Sequence, residues 1–441
     1  MTSIIEQFKI WFSNGNGNQI AQSVGLESEF QNSDRASLPS AIAKSLKHSI
    51  RQLHSPAPYV QSVQSALESA LNRWRENPDE PNCLVVLGSP VEPVARLLRD
   101  VLDTEDRQTL NMVKLQHQWT ARPHNYHSIY DQLVQGIEAS ASGATPSQTD
   151  GAESPNVPSP NTLAVIPCLD WCFLRCVDGL KGVDYLRGSI LRDRSRFWLI
   201  GCNRWAWKYL DHVHQISAYF EQTLSLQPLS SLDLKEWMMP LASEIELKES
   251  KGDQQNPVDS VTPDESSDEF EAWSSKDEKR YFDSLASTTS GLSSVAAHLW
   301  LRSLRLPSQD SDESDDSDES NSHDSNKSDS DTPQTDSSQT QNGSDSSKPV
   351  VRRKKASLPS LPKLTADDRY LLFSLLLHGG MNLSHLSLSL GDDDGKVRAR
   401  MQMLQRAGVI ERSHRLLEVN PAFYPSLQAD LSQNNFLVGD D

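Results

Sequence analysis

A loop between an apolar run and a helix holds the residues whose spacing first suggests chemistry. The run Leu84–Leu87 ends in Gly88, and a helical pattern begins at Val94, which is the frame of a phosphate-binding loop of pattern G-x-x-x-x-G-K-[ST]. Pro93 stands at the second glycine of that pattern, Val94 at the lysine and Ala95 at the hydroxyl residue. Such a loop binds phosphate through backbone N–H groups, a lysine and a magnesium-bound hydroxyl. The segment therefore has the strand, glycine and helix of a phosphate-binding loop but lacks the residues that contact phosphate.

Two prolines and an acid in the same loop also oppose phosphate binding. Pro90 and Pro93 have no N–H group to donate, and the carboxylate of Glu92 would repel a polyanion. A strand, a glycine and a helix in succession are equally typical of an ordinary turn in an α/β protein. Taken alone, the loop leaves both interpretations open.

The cysteines offer thiols as metal ligands. They are Cys83, Cys168, Cys172, Cys176 and Cys202. Three of them recur every fourth residue, which would place them on one face of a helix, but no C-x-x-C pair occurs and no histidine lies at zinc-site spacing. We interpret them as buried thiols and predict no metal site. Their odd number, without a secretion signal, favours a reducing cytoplasmic location.

Helices and apolar strands alternate along the part of the chain that carries these residues. The predicted elements are a helix over Tyr59–Arg75, a strand over Cys83–Leu87, a helix from Val94, a strand near Met112–Leu115, a helix over Tyr126–Ile137, a strand over Leu163–Ile166, a helix over Phe173–Leu191, and strands over Phe197–Gly201 and Thr223–Leu226. Continuous apolar strands are typical of a parallel sheet buried on both faces. The sequence therefore predicts an α/β fold with a three-layer parallel sheet.

Residues 165–172, Val-Ile-Pro-Cys-Leu-Asp-Trp-Cys, resemble the second nucleotide motif of KAP-type and STAND-type P-loop ATPases. In that motif a hydrophobic strand is followed by Asp-Asp-Leu-Asp-Arg-Cys. The Leu-Asp pair that ends at Asp170 matches, as does the last cysteine. Pro167 and Cys168 stand where the family has the acids that hold the magnesium-bound water and polarise the attacking water. The resemblance implies that the metal and the general base are both missing.

A second segment, residues 199–207, is similar to the sensor strand of these ATPases, in which a polar side chain at the strand tip contacts the γ-phosphate. The resemblance gives that position to Asn203. Residues 224–229 resemble the strand and turn before a helical lid, and residues 281–304 resemble the lid helices. The order of these motifs implies a degenerate P-loop NTPase fold of the AAA+/STAND type, with a helical lid.

The same resemblance bears on cofactors and activity. Gly88, Asp170 and Asn203 would form a vestigial nucleotide site without a catalytic residue. Loss of one electrostatic contact of this kind typically costs about 10²–10³ in rate, and here several are absent together. We therefore predict neither a required cofactor nor efficient hydrolysis. ATP binding without hydrolysis stays an alternative, with contacts from Asn203 and from an arginine cluster that otherwise ends a helix: Arg192, Arg194 and Arg196.

Three tryptophans lie near the tip of the sensor strand in sequence. Trp198 precedes the tip, and Trp205 and Trp207 follow it. They either fill the core between sheet and lid, or line an apolar pocket or a partner surface in place of a nucleotide site.

Residues 364–441 are predicted to form a compact C-terminal domain. Helical patterns over 365–377 and 383–390, and a third that follows a cap at 392–394 and ends at 407, precede a hairpin at 409–419, and together they resemble a winged helix. In a DNA-binding winged helix the third helix enters the major groove. The candidate contacts to nucleic acid or a partner are Lys396, Arg398, Arg400, Arg406, Arg412 and Arg415. Three aspartates at 392–394 oppose phosphate binding, and STAND relatives use this domain for protein contacts, so a protein partner is favoured over DNA.

The uneven distribution of acidic residues marks a further segment of the chain. Of a formal net charge of −18, about eleven negative charges lie between Ser308 and Ser347, where twelve Asp or Glu residues face the single Lys327. This stretch has no large apolar residue to bury, so we predict a disordered acidic tether. The predicted parts are an N-terminal segment (1–54), an α/β domain (55–240) with a disordered insertion (139–160), a helical lid (241–306) with a polar insertion (249–267), the tether ending in a basic run (307–363) and the winged helix (364–441).

The sequence as a whole predicts a non-hydrolysing, ATPase-related cytoplasmic scaffold or regulator that acts through protein contacts. No apolar run is long enough for a spanning helix, and the amphipathic segment Ile4–Phe12 is predicted to pack on the protein itself. The alternatives are a DNA-binding regulator and an ATP-binding switch with weak or no hydrolysis. Neither the partner nor the oligomeric state follows from the sequence.

Overall fold

The computed structural model describes residues 38–77, 79–104, 122–123, 125–141, 162–243, 245–248, 275–306, 350–413 and 415–439. The predictions for Ile4–Phe12, for a strand near Met112–Leu115 and for the acidic segment lie outside these residues, as do the insertion 249–267 and most of the insertion 139–160. The chain forms two compact units, and the larger one holds residues 44–244, 252–303 and 355–441.

A four-stranded parallel sheet organises the larger unit. Its strands are β1 (Cys83–Gly88), β2 (Thr162–Ile166), β3 (Arg196–Asn203) and β4 (Thr223–Ser225), in the order β2-β3-β1-β4. β1 and β3 pair in parallel register from Cys83 opposite Trp198 to Gly88 opposite Asn203. Every residue of these two strands is buried, as their continuous apolar character predicts.

Among the residues that the structure describes, six helices precede or connect these strands. They are α1 (Ser40–Gln52), α2 (Ala57–Glu76), α3 (Val94–Thr104), α4 (Ser128–Ala141), α5 (Lys181–Arg192) and α6 (Arg204–His214). Val63, Leu67 and Trp74 of α2 are buried at helical spacing, and the Trp74 ring lies 5.7 Å from the ring of Phe197 in β3. The predicted α/β class, a parallel sheet flanked by helices, is confirmed.

The region before α5 differs from its prediction. The helix begins at Lys181, not at Phe173, because the backbone turns at Asp178, which has φ +61°, and the Leu174 N–H donates to the Gly179 carbonyl at 3.0 Å. A Cβ on Gly179 would lie 1.8 Å from the Leu174 oxygen, so the turn requires glycine.

The placement of three cysteines on one helical face is therefore wrong. Within residues 168–176, only Leu169–Trp171 forms a short 3₁₀ turn. Cys172 is buried, whereas Cys168 and Cys176 are partly exposed, and burial raises the pKa of the Cys172 thiol to about 12.

Three further helices, which we call the lid helices, follow β4. They are α7 (Ser231–Ala242), α8 (Lys276–Thr289) and α9 (Ser293–Ser303). Ser230 and Asp233 form a capping box at the start of α7. Ser290 and Gly291, with φ of +51° and +68°, turn the chain from α8 into α9.

The C-terminal module, residues 364–439, contains four helices and a hairpin. They are α10 (Ala366–His378), α11 (Leu383–Leu390), α12 (Asp394–Arg406), β8 (Ile410–Ser413), β9 (Leu416–Val419) and α13 (Tyr424–Gln433). Thr365 and Asp368 form a capping box on α10, and Asp393 caps α12. The three helices and the hairpin occur where the sequence pattern places them, and α13 is additional.

The smaller unit contains a short three-stranded sheet. Its strands are β5 (Glu246–Lys248), β6 (Leu304–Arg305) and β7 (Val350–Arg353), in the order β5-β7-β6. Most of the basic run at 351–355 thus lies in a strand, and the residues on either side of the acidic segment belong to paired antiparallel strands. Within the part of the chain that the structure describes, no helix has the length and apolar character to cross a membrane.

Candidate functional site at the carboxyl edge of the sheet

The loop after β1 is closed by its own side chains. A Cβ on Gly88 would lie 2.5 Å from Cγ2 of Val94, so glycine is needed for the first turn of α3 to approach the strand. Val94, at the position of the phosphate-binding lysine, is buried and fills this space with an apolar group. The close approach of Val94 thus gives Gly88 a role in packing.

Glu92 of the same loop is turned towards the lid helices. Its carboxyl group is buried and accepts hydrogen bonds from the Ser293 hydroxyl at 2.6 Å and the Ser294 N–H at 3.2 Å. Burial raises the pKa of Glu92, and these hydrogen bonds partly oppose the rise. The loop is thereby tied to the first turn of α9.

Asp170 lies just beyond β2, in the 3₁₀ turn Leu169–Trp171, and is only 4% exposed. Burial raises its pKa to about 6, although the positive charge of Arg122 favours the carboxylate. Arg122 is itself buried, and it donates to the backbone carbonyl of Asp170. The desolvation lowers the pKa of Arg122 to about 10, so this guanidinium remains a cation at neutral pH.

Asn203 is the last residue of β3 and caps α6. Its Oδ1 accepts from the Ala206 N–H at 2.7 Å, which satisfies a free donor at the helix start. Its Nδ2 donates to the carbonyl oxygen of Leu377 at 3.0 Å. Both ends of the amide are therefore used by the protein.

The structure brings Gly88, Asp170 and Asn203 to one edge of the sheet, because β1, β2 and β3 are parallel and their carboxyl ends coincide. The partner at this edge is the last turn of α10. Leu377 accepts from Asn203, and the carbonyl of His378 accepts from Arg122 at 2.9 Å. The C-terminal module is thus docked on the residues that the sequence assigns to a nucleotide.

Arg175 provides a second group of contacts to the module. Its backbone N–H donates to Nε2 of His378 at 3.2 Å, and its guanidinium donates to the Ser374 hydroxyl at 3.2 Å and the Ser389 carbonyl at 3.4 Å. Burial and the charges of Arg122 and Arg175 hold the pKa of His378 well below its usual value. His378 is therefore neutral at pH 7 and can accept the Arg175 hydrogen bond.

Aromatic packing accompanies these polar contacts. The ring of Trp205, in the first turn of α6, lies 5.8 Å from Phe373 and 6.0 Å from Tyr424 of the module. The ring of His378 lies 4.8 Å from that of Phe173. Trp205 thus packs against the module, while Trp198 is fully buried within β3.

The module also contacts the lid helices and α1. The guanidinium of Arg302 in α9 lies 5.9 Å from the ring of Phe423. Lys47 and Arg51 of α1 form ion pairs with Glu411 of the hairpin. The docked module is therefore held from three directions within the larger unit.

A cleft of about 640 Å³ remains beside this contact. It lies within the size range of small-molecule sites, about 300–1,000 Å³. Its walls include residues of α1, the Gly88 loop, the strand ends, α9 and the module: Arg51, Pro90, Arg99, Asp170, Asn203, His298, Gly379 and Glu418 among others.

These residues do not fit a magnesium–nucleotide site. Pro90 and Pro93 lack donor N–H groups, and Val94 is apolar. Pro167 and Cys168 provide no carboxylate for the metal. The side-chain amide of Asn203 is engaged by Ala206 and Leu377.

The basic residues proposed from the sequence lie in other places. Arg196 begins β3 and Asn203 ends it, about 23 Å away at 3.3 Å per residue, so the Arg192–Arg196 cluster lies at the opposite edge of the sheet. In the module, Lys396, Arg398, Arg406, Arg412 and Arg415 are exposed to solvent, and Arg400 is paired with Asp367.

Sequence patterns did not reveal Arg122, Arg175, His378 or the Glu92 contact. The bond from Arg122 to His378 joins residues 256 positions apart, and the one from Ser293 to Glu92 spans 201. Of these residues, only Glu92 was noticeable in the sequence, because it is an acidic residue in a loop that has the spacing of a phosphate-binding loop. Among the described residues, no group of three or more His, Cys, Asp or Glu side chains could hold a metal ion.

Comparisons with known proteins give distant structural likenesses. A variant of RuvB from Thermotoga maritima is 13% identical, with 83% of this chain and 94% of that one covered, at a TM-score of 0.30. ORC2 of Aeropyrum pernix, in ADPNP and ADP complexes, is 11% identical, with 84% of this chain and 94% of that one covered, at a TM-score of 0.32. Cdc6p of Pyrobaculum aerophilum is 11% identical, with 90% of this chain and 99% of that one covered, at a TM-score of 0.31. No family model and no curated protein matches the sequence. At these scores the likeness carries no argument about this chain.

Proposed function

We propose that this chain is a non-hydrolysing relative of AAA+/STAND P-loop ATPases that acts as a regulator or scaffold through protein contacts. The observation that carries the proposal is the docking of α10 on the strand ends. Asn203, which would sense a γ-phosphate, donates to the Leu377 carbonyl at 3.0 Å. A protein contact thus takes the role that a nucleotide has in the family.

A regulator of this kind would act through the position of its C-terminal module. In the docked state, the polar contacts of Arg122, Arg175 and Asn203 hold α10, while α12 presents exposed side chains to solvent. Met403 of α12 is 60% exposed and Leu388 of α11 is 43% exposed. This mixed apolar and basic surface favours a protein partner for what we take to be a winged helix. We place the protein in the cytoplasm on the odd number of cysteines.

The proposal is tested by ATP turnover of the purified full-length chain with magnesium. We expect no turnover above that of buffer, because the lysine, the magnesium hydroxyl and the two acids are absent. Turnover of even ~1 s⁻¹, a low enzymatic rate, that Asp170→Ala abolishes would overturn the proposal.

DNA binding is the second candidate, and the exposed basic residues of α12 and the hairpin favour it. Neutralising several phosphates should make duplex binding fall steeply as salt rises. The triple variant Lys396→Ala, Arg398→Ala, Arg406→Ala should then lose binding. A control with the same charge change at exposed positions elsewhere, Lys44→Ala, Arg73→Ala, Arg75→Ala, should keep it. No duplex binding at low salt would remove this candidate.

An ATP-binding switch is the third candidate, and the size of the cleft beside Asp170 favours it. In such a switch, the nucleotide would compete with Leu377 for Asn203 and release the module. Magnesium–ATP should then accelerate hydrogen exchange of the last turn of α10. Unchanged exchange at millimolar nucleotide would remove this candidate.

A further inference from the structure

A buried carboxyl group joins the Gly88 loop to the lid helices. We propose that Glu92 holds α9 against this loop in the place of a bound ligand, so that lid closure is built into the chain. This goes beyond the proposed function, which concerns the C-terminal module, and it can fail while that function stands.

Glu92 makes three hydrogen bonds to the first turn of α9, and one of them is short. One carboxylate oxygen accepts from the Ser293 hydroxyl at 2.6 Å and from the Ser294 hydroxyl at 3.3 Å, and the other accepts from the Ser294 N–H at 3.2 Å. Ser293 is 2% exposed and Glu92 9%. The first N–H groups of a helix have no partner within it, so a carboxyl group at this point satisfies donors that would otherwise stay open.

The loop backbone fixes the direction of this side chain. The Glu92 N–H donates to the Ser89 carbonyl at 3.0 Å, and the Val94 N–H donates to the Glu92 carbonyl at 2.9 Å. These two turns place Glu92 two residues before the start of α3. Its carboxyl group is therefore held against α9 by a short, internally bonded loop.

Two cavities border this contact. One of about 40 Å³ is bounded by Tyr59, Trp237 and the two serines, and the cleft of about 640 Å³ is bounded by Glu92 and Ser294. The carboxyl group of Glu92 already accepts from the donors of both serines. An anion in either cavity could bind these donors only by displacing Glu92.

Hydrogen exchange of the full-length protein tests this inference. Glu92→Gln keeps the shape but replaces one acceptor oxygen by an NH₂ group, so the first-turn amides of α9 should exchange about tenfold faster, as expected when a buried donor loses its acceptor. Glu68→Gln, at an exposed position of α2, makes the same change of charge and should leave these amides unchanged. Equal exchange in the Glu92→Gln variant and the wild type would overturn the inference.

A second set of variants keeps the inference testable if Glu92→Gln does not fold. Ser293→Ala and Ser294→Ala each remove one donor hydroxyl, and each should accelerate the same amides by a few-fold. If Glu92→Gln does fold, its effect should be less than additive with that of Ser293→Ala. No acceleration in either serine variant, or strict additivity, would show that Glu92 does not hold the lid.

Discussion

Replacement of Asn203 by aspartate should release the C-terminal module while leaving the sheet intact. Aspartate caps a helix as well as asparagine does, so the bond from the Ala206 N–H to the side chain is retained. The bond from Nδ2 to the Leu377 carbonyl is lost, and a carboxylate oxygen then faces that carbonyl at about the same place. The substitution therefore separates docking from helix capping at a single residue.

The magnitude follows from burial. Asn203 is 6% exposed, so the Leu377 carbonyl loses its donor in a site that water reaches poorly. An unsatisfied buried acceptor costs about 1–3 kcal/mol, and a charge without a new partner adds to this. We expect docking to weaken by about 2–4 kcal/mol, which is about 30- to 1,000-fold in the docking equilibrium constant.

Hydrogen exchange measured by mass spectrometry can follow docking and capping together. The last turn of α10 should lose protection in Asn203→Asp, while the first turn of α6 should keep it. The matched control is Asn420→Asp: Asn420 also accepts a backbone N–H, from Ala422, and donates to a carbonyl, that of Gly408, but within the module. It should destabilise the module without exposing Trp205. Unchanged protection of α10 in Asn203→Asp would refute the reasoning.

Three further predictions concern the same edge of the sheet. Trp205→Ala should cost about 3–5 kcal/mol, because it leaves a cavity between α6 and the module, and denaturant titration should show it. The wild type should lose stability as the pH rises from about 4 to 6, because Asp170 ionises in a buried site. Asp170→Asn should abolish this loss. The pKa of Asp170 is raised from 3.8 to about 6, which corresponds to about 3 kcal/mol. The pKa of His378 is lowered in the folded protein. The stability that its neutral ring contributes is therefore present above pH 6.5 and is lost as the pH falls below that value. Protonation of His378 should thus weaken docking, in opposition to the contribution of Asp170, and His378→Gln should remove this part of the acid dependence.

Patterns local in sequence predicted much of the fold. Apolar runs located β1 and β3, and apolar spacing located α2 and the helices of the module. The start of α5 was misplaced, since a turn at Asp178 and Gly179 interrupts an otherwise helical pattern. Periodicity carries no information about such a turn, because the deciding factor is backbone conformation.

The sequence predicted which residues of the sheet lie at the candidate site, but not what contacts them. Parallel strands bring their carboxyl ends together, so Gly88, Asp170 and Asn203 could be expected to lie at one edge. The occupant of that edge could not be expected, because the contacts of Arg122 and Arg175 with His378 join distant parts of the chain. Contacts of this kind depend on how the module packs, and no spacing in the sequence records it.

The most direct test of the central claim is the thermal stability of the full-length chain with and without magnesium–ATP. The protein's own contacts, led by Asn203 to Leu377, occupy the edge at which a nucleotide would bind. We therefore expect the same unfolding temperature at millimolar nucleotide as without it. A saturable stabilisation, about 2.7 kcal/mol at 100 times Kd, would contradict the account.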